Sequence, residues 1–274
     1  KPDGLAFGGT SDDPYWVPSL SNPGQSFAVM GTSFAAPSVM RAAVGVRAAF
    51  GPETDALVLK ALHIHKTERA GHLPQTHQGW GRFCTIVPEL VECVDSSYTV
   101  IYKGTIAPKR YLRLDVAVLP RFTGQVDLKA TLCFAAQVDP QNAASYTRAA
   151  VDIVFRKNKL DIPEGKTTPP PSPFFGLVSG MTEAQRRADA RKWEVTQHAD
   201  QRYEDGGELV SPVFDLHYVP REDGRDDDDA PEIPFAMIIS VSAPNHPKAH
   251  RDIEQRYTGV MNQLKPVIDL NLYV

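Results

Sequence analysis

A short turn that leads into a long apolar helix constrains this chain more than any other feature. The turn is Gly31-Thr32-Ser33, and the Ala-rich segment behind it ends near Gly51. A glycine before small hydroxyl residues lets the backbone turn sharply. Apolar residues then recur at helical spacing, with alanines on most of the other faces, so the segment predicts a buried helix. The spaced residues are Val39, Ala43, Val46 and Phe50.

Pro37 limits where this helix begins. Proline has no N–H and is tolerated near the first helical turn, where backbone donors lack intrahelical partners. The helix is therefore expected to start close to Ser33. A serine at a helix start is most often a structural cap. The same position lies at the positive end of the helix dipole, where developing negative charge is favoured.

The wider sequence around Ser33 favours a chemical role. Gly31, Thr32, Ser33, Ala35 and Pro37 form the string Gly-Thr-Ser-x-Ala-x-Pro, which resembles the nucleophile motif of the subtilisin-like serine proteases. Other segments follow the order of that family and extend the resemblance over residues 1–94. They are Lys1-Pro2-Asp3, a helix over Glu53 to His63, Gly79-Trp80-Gly81-Arg82-Phe83, and Val87 to Val91.

The resemblance implies an α/β fold for residues 1–94, namely the C-terminal part of a subtilisin-like parallel-sheet domain. It also implies that Ser33 attacks a peptide carbonyl and that the Ser33 backbone N–H helps to hold the oxyanion. In that family a His acts as base, an Asp orients it, and an Asn completes the oxyanion hole. Gly31, Thr32, Ala35 and Pro37 support the motif.

The partners of Ser33 are missing from the motifs that this sequence contains. None of the eight histidines is followed by Gly, as a His-Gly-Thr motif requires. Asp95-Ser96-Ser97 approaches an Asp motif but lacks the Gly and follows the Ser. We therefore expect upstream sequence to supply the Asp, His and Asn. The chain would then be the C-terminal piece of a peptidase that acts on polypeptides, and inactive alone.

Two further expectations concern partners. Without the upstream half of the catalytic domain, a sheet edge and apolar helix faces would be exposed, which predicts a homodimer or a rearranged N-terminal region. The alternative function is a catalytically inactive subtilase-like scaffold whose β domain binds a partner protein. The hydroxyl at Ser33 favours the enzyme, because a scaffold has no physical need for a nucleophile there.

Composition narrows the other classes of partner and cofactor. The net charge of -4 argues against nucleic acid as a main partner. No apolar run reaches the about 18 residues of a membrane span. Cys84, Cys93 and Cys133 are an odd number without metal-ligand spacing, so neither a disulfide framework nor a metal site is predicted. This cysteine usage favours a cytoplasmic location weakly.

From residue 95 onward, the pattern changes from helical to alternating, which predicts a mainly antiparallel β-sandwich-like C-terminal domain with added helices over residues 95–274. Pro120 to Gly124 has the length of a hairpin turn. The predicted strands are Thr99 to Ile106, Leu112 to Val118, Val126 to Phe134, Ala149 to Phe155, Leu209 to Val219, Phe235 to Ala243 and Val267 to Val274.

The segments between the predicted strands include a Pro-rich linker, two predicted helices and an acidic loop. A Pro-rich linker over residues 163–173 predicts an extended, exposed connection. A capping-box signature predicts a polar helix over Glu183 to Ala199, and a helix is expected from Ile253 to Leu264. The acidic loop over residues 223–231 could hold Ca2+, but consecutive aspartates splay their side chains, which favours a solvated loop.

Overall fold

The computed structural model describes residues 2–120, 122–142, 146–175, 194–220 and 230–264. These residues divide into two compact units. The first holds residues 2–55, 62–92 and 264, and the second holds the other described residues. None of the helices within these ranges is long and apolar enough to span a membrane.

The first unit is built around the predicted apolar helix. A hairpin of β1 (Tyr15–Pro18) and β2 (Ser26–Val29) precedes α1 (Thr32–Phe50), which begins one residue before Ser33, as its sequence predicts. Short helices α3 (Gln75–Gln78) and α4 (Val87–Val91) follow later in the chain. Helix α2 (Ala56–His65) has residues in both units.

Helix α1 buries one small-residue face. Ala42, Val46 and Ala49 are at most 1% exposed. Gly45 lies so close to α4 that a Cβ at this position would stand 2.5 Å from Val87 Cγ2. The helices pack at this distance because the residue at 45 has no side chain.

The segment at Gly79-Trp80-Gly81 pairs with the start of the chain. Trp80 N–H donates to the Asp3 carbonyl at 2.9 Å, and Leu5 N–H donates to the Gly81 carbonyl at 2.8 Å. Gly79 (φ 62°) and Gly81 (φ 131°) adopt backbone angles that favour glycine. Parallel pairing in residues 2–94 is limited to the single bridge between Leu5 and Arg82, whereas β1 and β2 are antiparallel.

The second unit is a β-sandwich, as the alternating pattern predicts. One sheet has the strand order β3-β9-β5-β7 and the other has the order β4-β8-β6, with antiparallel neighbours throughout. Helix α5 (Ala249–Arg256) follows β9. The strands are β3 (Ser97–Ile106), β4 (Tyr111–Asp115), β5 (Val126–Phe134), β6 (Ala149–Arg156), β7 (Thr196–Tyr203), β8 (Val213–Pro220) and β9 (Ile233–Ser242).

The inner faces of the two sheets share one hydrophobic core. Alternate residues of β5 point into it, and each is at most 3% exposed: Val126, Leu128, Ala130, Leu132 and Phe134. Phe155 of β6 and Phe214 of β8 meet with ring centroids 4.8 Å apart, and Phe174 packs on both. Full burial of such side chains stabilises the fold by about 1.5–3 kcal/mol each.

Three expectations for this unit are wrong in detail. The turn expected over Pro120 to Gly124 does not join a hairpin, because the flanking strands β4 and β5 belong to different sheets. The end of the predicted helix is a strand, since Thr196 to Ala199 pair with β5. Helix α5 stops at Arg256 rather than Leu264, and Gly259 has a positive φ of 88°.

Two predicted elements stay untested. The N-terminal part of the predicted helix, Glu183 to Trp193, lies outside the described residues, as does the strand over Val267 to Val274. Most of the acidic loop, including the run Asp226 to Asp229, also lies outside them. The calcium expectation for that loop therefore remains a prediction.

Candidate functional site

The candidate site is the turn that starts α1. Gly31 has φ 153° and ψ 160°, a conformation that favours glycine, and occupies the N-cap position. Phe34 N–H donates to the Gly31 carbonyl at 3.0 Å and closes the first turn. Thr32 and Ser33 follow as the first two helical residues, and both are exposed. The structure therefore places Ser33 at the accessible positive end of a 19-residue helix.

The Ser33 side chain is not used as a cap. The N-cap position belongs to Gly31, and there is no side-chain capping hydrogen bond at this helix start. Among the described residues, no hydrogen bond or ion pair involves the Ser33 side chain. The structural role that a serine most often has at a helix start is therefore absent here.

The backbone around Ser33 offers both a donor and an acceptor. N–H groups in the first helical turn lack intrahelical acceptors, so the Ser33 N–H is available to a ligand. Pro37 lies four residues further on and has no N–H, so the Ser33 carbonyl loses the helical bond that residue 37 would normally donate. Pro37 is the sixth residue of α1, counted from Thr32, and therefore lies beyond the first turn.

Two glycines that the motif does not include support the turn. Gly31 N–H donates to the Gly8 carbonyl at 2.7 Å. A Cβ at Gly8 would stand 3.0 Å from the Gly31 oxygen, and a Cβ at Gly9, whose φ is 85°, would stand 3.2 Å from Met30 Cβ. Their only sequence signal is a Gly-Gly pair upstream of the motif.

Three aromatic side chains pack together beside the same turn. The Tyr15 ring lies 6.0 Å from the Phe34 ring and 6.0 Å from the Phe7 ring, measured between centroids. The Tyr15 hydroxyl donates to the Phe7 carbonyl at 3.0 Å. Because Phe34 directly follows Ser33, this packing orients the helix start. The sequence offers only scattered aromatics in a loop, so these contacts could not be predicted from it.

No base is brought to Ser33 within the residues that the structure describes. Several histidines have other contacts: the His246 ring accepts from Thr123 N–H at 3.0 Å, and the His198 ring hydrogen-bonds the Thr131 hydroxyl at 2.7 Å. Asp95 lies in the second unit, where its carbonyl accepts from His250 N–H. A serine hydroxyl without a base is a weak nucleophile.

Cys84 is the partly exposed thiol of the first unit and a second possible nucleophile. Partial burial raises the pKa of the Cys84 thiol above its ordinary value, and the hydrogen bond and charge of Glu89 raise it further. The Cys84 Sγ lies 3.4 Å from Glu89 Oε2. Because the thiolate is the reactive form, this environment makes Cys84 a poor nucleophile at neutral pH.

The face of α1 that carries Ser33 continues as an exposed apolar stripe. Ser33, Pro37, Met40 and Val44 follow one another at spacings of four, three and four residues, which places them on one side of the helix. Met40 is 62% exposed and Val44 is 65% exposed. An apolar face that lies beside the candidate nucleophile favours contact with another polypeptide surface.

Residues that could hold a metal are not grouped in the described part of the chain, where no cluster of three or more His, Cys, Asp or Glu side chains has a suitable arrangement. The aspartate pair at residues 12 and 13 lies in a turn, where Thr10 N–H donates to the Asp13 carbonyl and Asp13 N–H donates to the Thr10 hydroxyl.

The comparisons with known proteins give a weak structural likeness and no sequence match. No protein-family model matches this chain. No curated protein matches it either. Among solved structures, the chain is similar to the VP2 subviral particle of infectious bursal disease virus, at 15% identity and a TM-score of 0.29, over 56% of this chain and 34% of that chain. The chain thus spans about a third of the length of that protein, and a likeness of this size carries no argument about function.

Proposed function

We propose that this chain carries the C-terminal, nucleophile-bearing part of a subtilisin-like serine endopeptidase, followed by a β-sandwich domain. The observation that carries the proposal is the state of Ser33. The Ser33 residue is exposed, and its hydroxyl does not cap the helix. It lies at the start of an apolar helix, two residues after Gly31, whose backbone conformation is one that other residues rarely adopt. This arrangement presents a hydroxyl and an adjacent N–H to a ligand.

A second observation supports the family assignment. The Lys-Pro-Asp segment and the Gly-x-Gly segment each resemble the family, and they lie about 75 residues apart in the sequence. In the structure they are hydrogen-bonded neighbours, through Trp80 N–H to Asp3 and Leu5 N–H to Gly81. A parallel sheet formed with upstream strands would extend this pairing into an α/β domain.

The proposed mechanism uses Ser33 in two ways. The Ser33 Oγ attacks the carbonyl carbon of a peptide bond, and a His from upstream sequence accepts the hydroxyl proton. The negative charge then develops on the carbonyl oxygen, where the Ser33 N–H and an upstream Asn donate hydrogen bonds. The positive end of α1 stabilises the same charge. An upstream Asp orients the His, and the chain alone has no peptidase activity.

Fluorophosphonate labelling tests this proposal, because the probe reacts with an activated serine hydroxyl. The samples are the polypeptide extended upstream to its natural start, its Ser33→Ala variant, and the present chain. Ser38→Ala is the matched control, since Ser38 lies in the same helix and is half-buried. We expect labelling of the extended protein and of its Ser38→Ala variant alone.

Three other results of these measurements would contradict part or all of the proposal. Labelling that survives the Ser33→Ala substitution would show that another residue is the nucleophile. Absence of labelling in every sample would favour a catalytically inactive scaffold, whose β domain would then be the place to look for a bound partner. Peptidase activity of the present chain that depends on Ser33 would overturn the requirement for an upstream base.

A further inference from the structure

The Pro-rich segment Pro169-Pro170-Pro171-Ser172-Pro173 is fixed to the β-sandwich and is more ordered than a linker. Ser172 N–H donates to the Phe155 carbonyl at 2.8 Å, which adds a bridge at the edge strand β6. The Arg156 guanidinium donates to the Pro169 carbonyl. These bonds hold the segment along the sheet edge.

The residue after the prolines provides a further anchor. Phe174 is 9% exposed and packs between Phe155 and Phe214, with ring centroids 5.2 and 5.3 Å away. Phe175 packs against Phe174 at 4.9 Å. The segment is therefore held at its start by Arg156, in its middle by the sheet, and at its end by an aromatic cluster.

The sequence of this segment dictates its backbone. Each proline fixes its own φ near −65°. The residues that precede a proline are driven toward extended angles, and here these include Pro169, Pro170 and Ser172. Such a run forms a polyproline II helix with about three residues per turn.

Burial along the segment follows that three-residue period. Pro169 is buried and Ser172 is half-buried, so this edge faces the sheet. Pro170 and Pro173 are both exposed and share the next edge, and Pro171 is exposed on the third. The strip defined by Pro170, Pro171 and Pro173 thus presents a Pro-x-x-Pro ridge to solvent.

We propose that this proline strip is a docking site for a protein domain that binds polyproline II segments in a groove lined by aromatic side chains. Domains of this kind recognise Pro-x-x-Pro ridges, because the ligand backbone is already in the bound conformation and loses little entropy. The three anchors restrict the strip further before it binds. This inference does not depend on the proposed peptidase function.

Isothermal titration calorimetry with the full chain tests the proposal. The probes are purified SH3 and WW domains, which present grooves of this type. We expect saturable binding of at least one domain, and a loss of affinity of about tenfold or more in the Pro170→Ala/Pro173→Ala variant. Pro163→Ala is the matched control, because Pro163 is exposed in the same connection but lies outside the strip.

Two results would overturn the proposal. One is absence of saturable binding by every domain up to about 1 mM, the range of very weak complexes. The other is equal affinity of the double variant and the Pro163→Ala control. The substituted prolines are exposed, so equal thermal midpoints of the variants and the wild type will show that any loss of binding is local.

Discussion

Gly81 lies directly against the backbone of Glu68. A Cβ at residue 81 would stand 2.4 Å from the Glu68 carbonyl oxygen, and the φ of Gly81 is 131°. We expect Gly81→Ala to lower the free energy of unfolding of the first unit by about 3 kcal/mol, because both the clash and the backbone strain must be relieved. Urea titration measures the loss, with hydrogen exchange at the Arg82 amide as a local readout.

Gly71→Ala is the matched control for this prediction. Gly71 belongs to the same unit, and a Cβ there would have no neighbour within 4 Å. A change within about 0.5 kcal/mol is expected. Equal effects of the two substitutions would contradict the tight pairing of the Gly-x-Gly segment with residue 68.

Gly45 gives a second test, through a double-mutant cycle with Val87. Gly45→Ala introduces a Cβ about 2.5 Å from Val87 Cγ2 and should destabilise the packing of α1 on α4 by about 1–3 kcal/mol. Val87→Ala removes the clashing methyl group. Urea titration of the double variant should therefore recover part of the loss, whereas additive effects would show that the two residues do not meet.

The sequence predicts most of the β-sandwich because its core strands alternate. In β5, residues from Val126 to Phe134 alternate apolar with polar or small side chains, and the strand bounds match the prediction. The sequence does not reveal strand β7, because the buried residues of this strand include the polar Thr196 and His198. The His198 ring meets the Thr131 hydroxyl across the sheet, so the burial depends on a partner that is distant in sequence.

In the candidate site too, the local features can be predicted from the sequence and the long-range contacts cannot. A helix start close to Ser33 follows from local spacing and from Pro37, and the structure confirms it, since α1 begins at Thr32. The support from Gly8 and the Tyr15 ring comes from chain segments that fold back onto the turn. Such long-range contacts have no periodic signal. The parallel sheet and the roles assigned to Ser33 remain predictions.

Asp215 should make the stability of the sandwich depend on pH. Burial alone would raise the pKa of this carboxyl, but hydrogen bonds from Arg113 and Arg156 lower it below its ordinary value of 3.8. The carboxylate therefore stabilises the fold above that pH, and this contribution is lost as the pH falls through the lower folded pKa. We expect Asp215→Asn to cost about 3 kcal/mol at pH 7, since Arg156 is 12% exposed and loses the carboxylate that pairs with its charge.

Urea midpoints of the wild type and Asp215→Asn between pH 7 and pH 2 measure this effect. The difference between the two proteins should shrink in the acid range, below the ordinary pKa of the carboxyl. Asp139→Asn is the control, because the Asp139 carboxylate is 34% exposed and lies 3.3 Å from Arg148. A difference that does not change with pH would show that ionisation of Asp215 has no part in stability.

Tyr102 should make the stability of the sandwich fall as the pH rises in the alkaline range, whereas the contribution of Asp215 is lost as the pH falls. Burial and the charge of Asp115 raise the pKa of Tyr102 to about 12, and its hydroxyl donates to the Asp115 carbonyl. The neutral phenol therefore stabilises the fold below pH 10, and this contribution is lost as the pH rises from 10 to 12. Tyr102→Phe should cost about 1 kcal/mol at neutral pH, through the lost hydrogen bond.

Absorbance titration of tyrosinate, with urea midpoints at each pH, checks this prediction. The stability of the Tyr102→Phe variant should fall less between pH 10 and pH 12 than that of the wild type. Parallel pH profiles for the two proteins would contradict the assignment.

The apolar stripe of α1 should make this chain associate with itself. Met40 and Val44 are 62% and 65% exposed and lie on the face that carries Ser33. We expect Met40→Glu/Val44→Glu to weaken self-association by about tenfold or more, because burial of each side chain supplies about 1.5–3 kcal/mol. Sedimentation velocity over a range of protein concentrations measures the strength of self-association.

Arg110→Glu is the control, because it changes the net charge by the same amount at an exposed site in the second unit and should have little effect on self-association. A wild-type chain that stays monomeric at every concentration would show that this stripe does not bind a second copy.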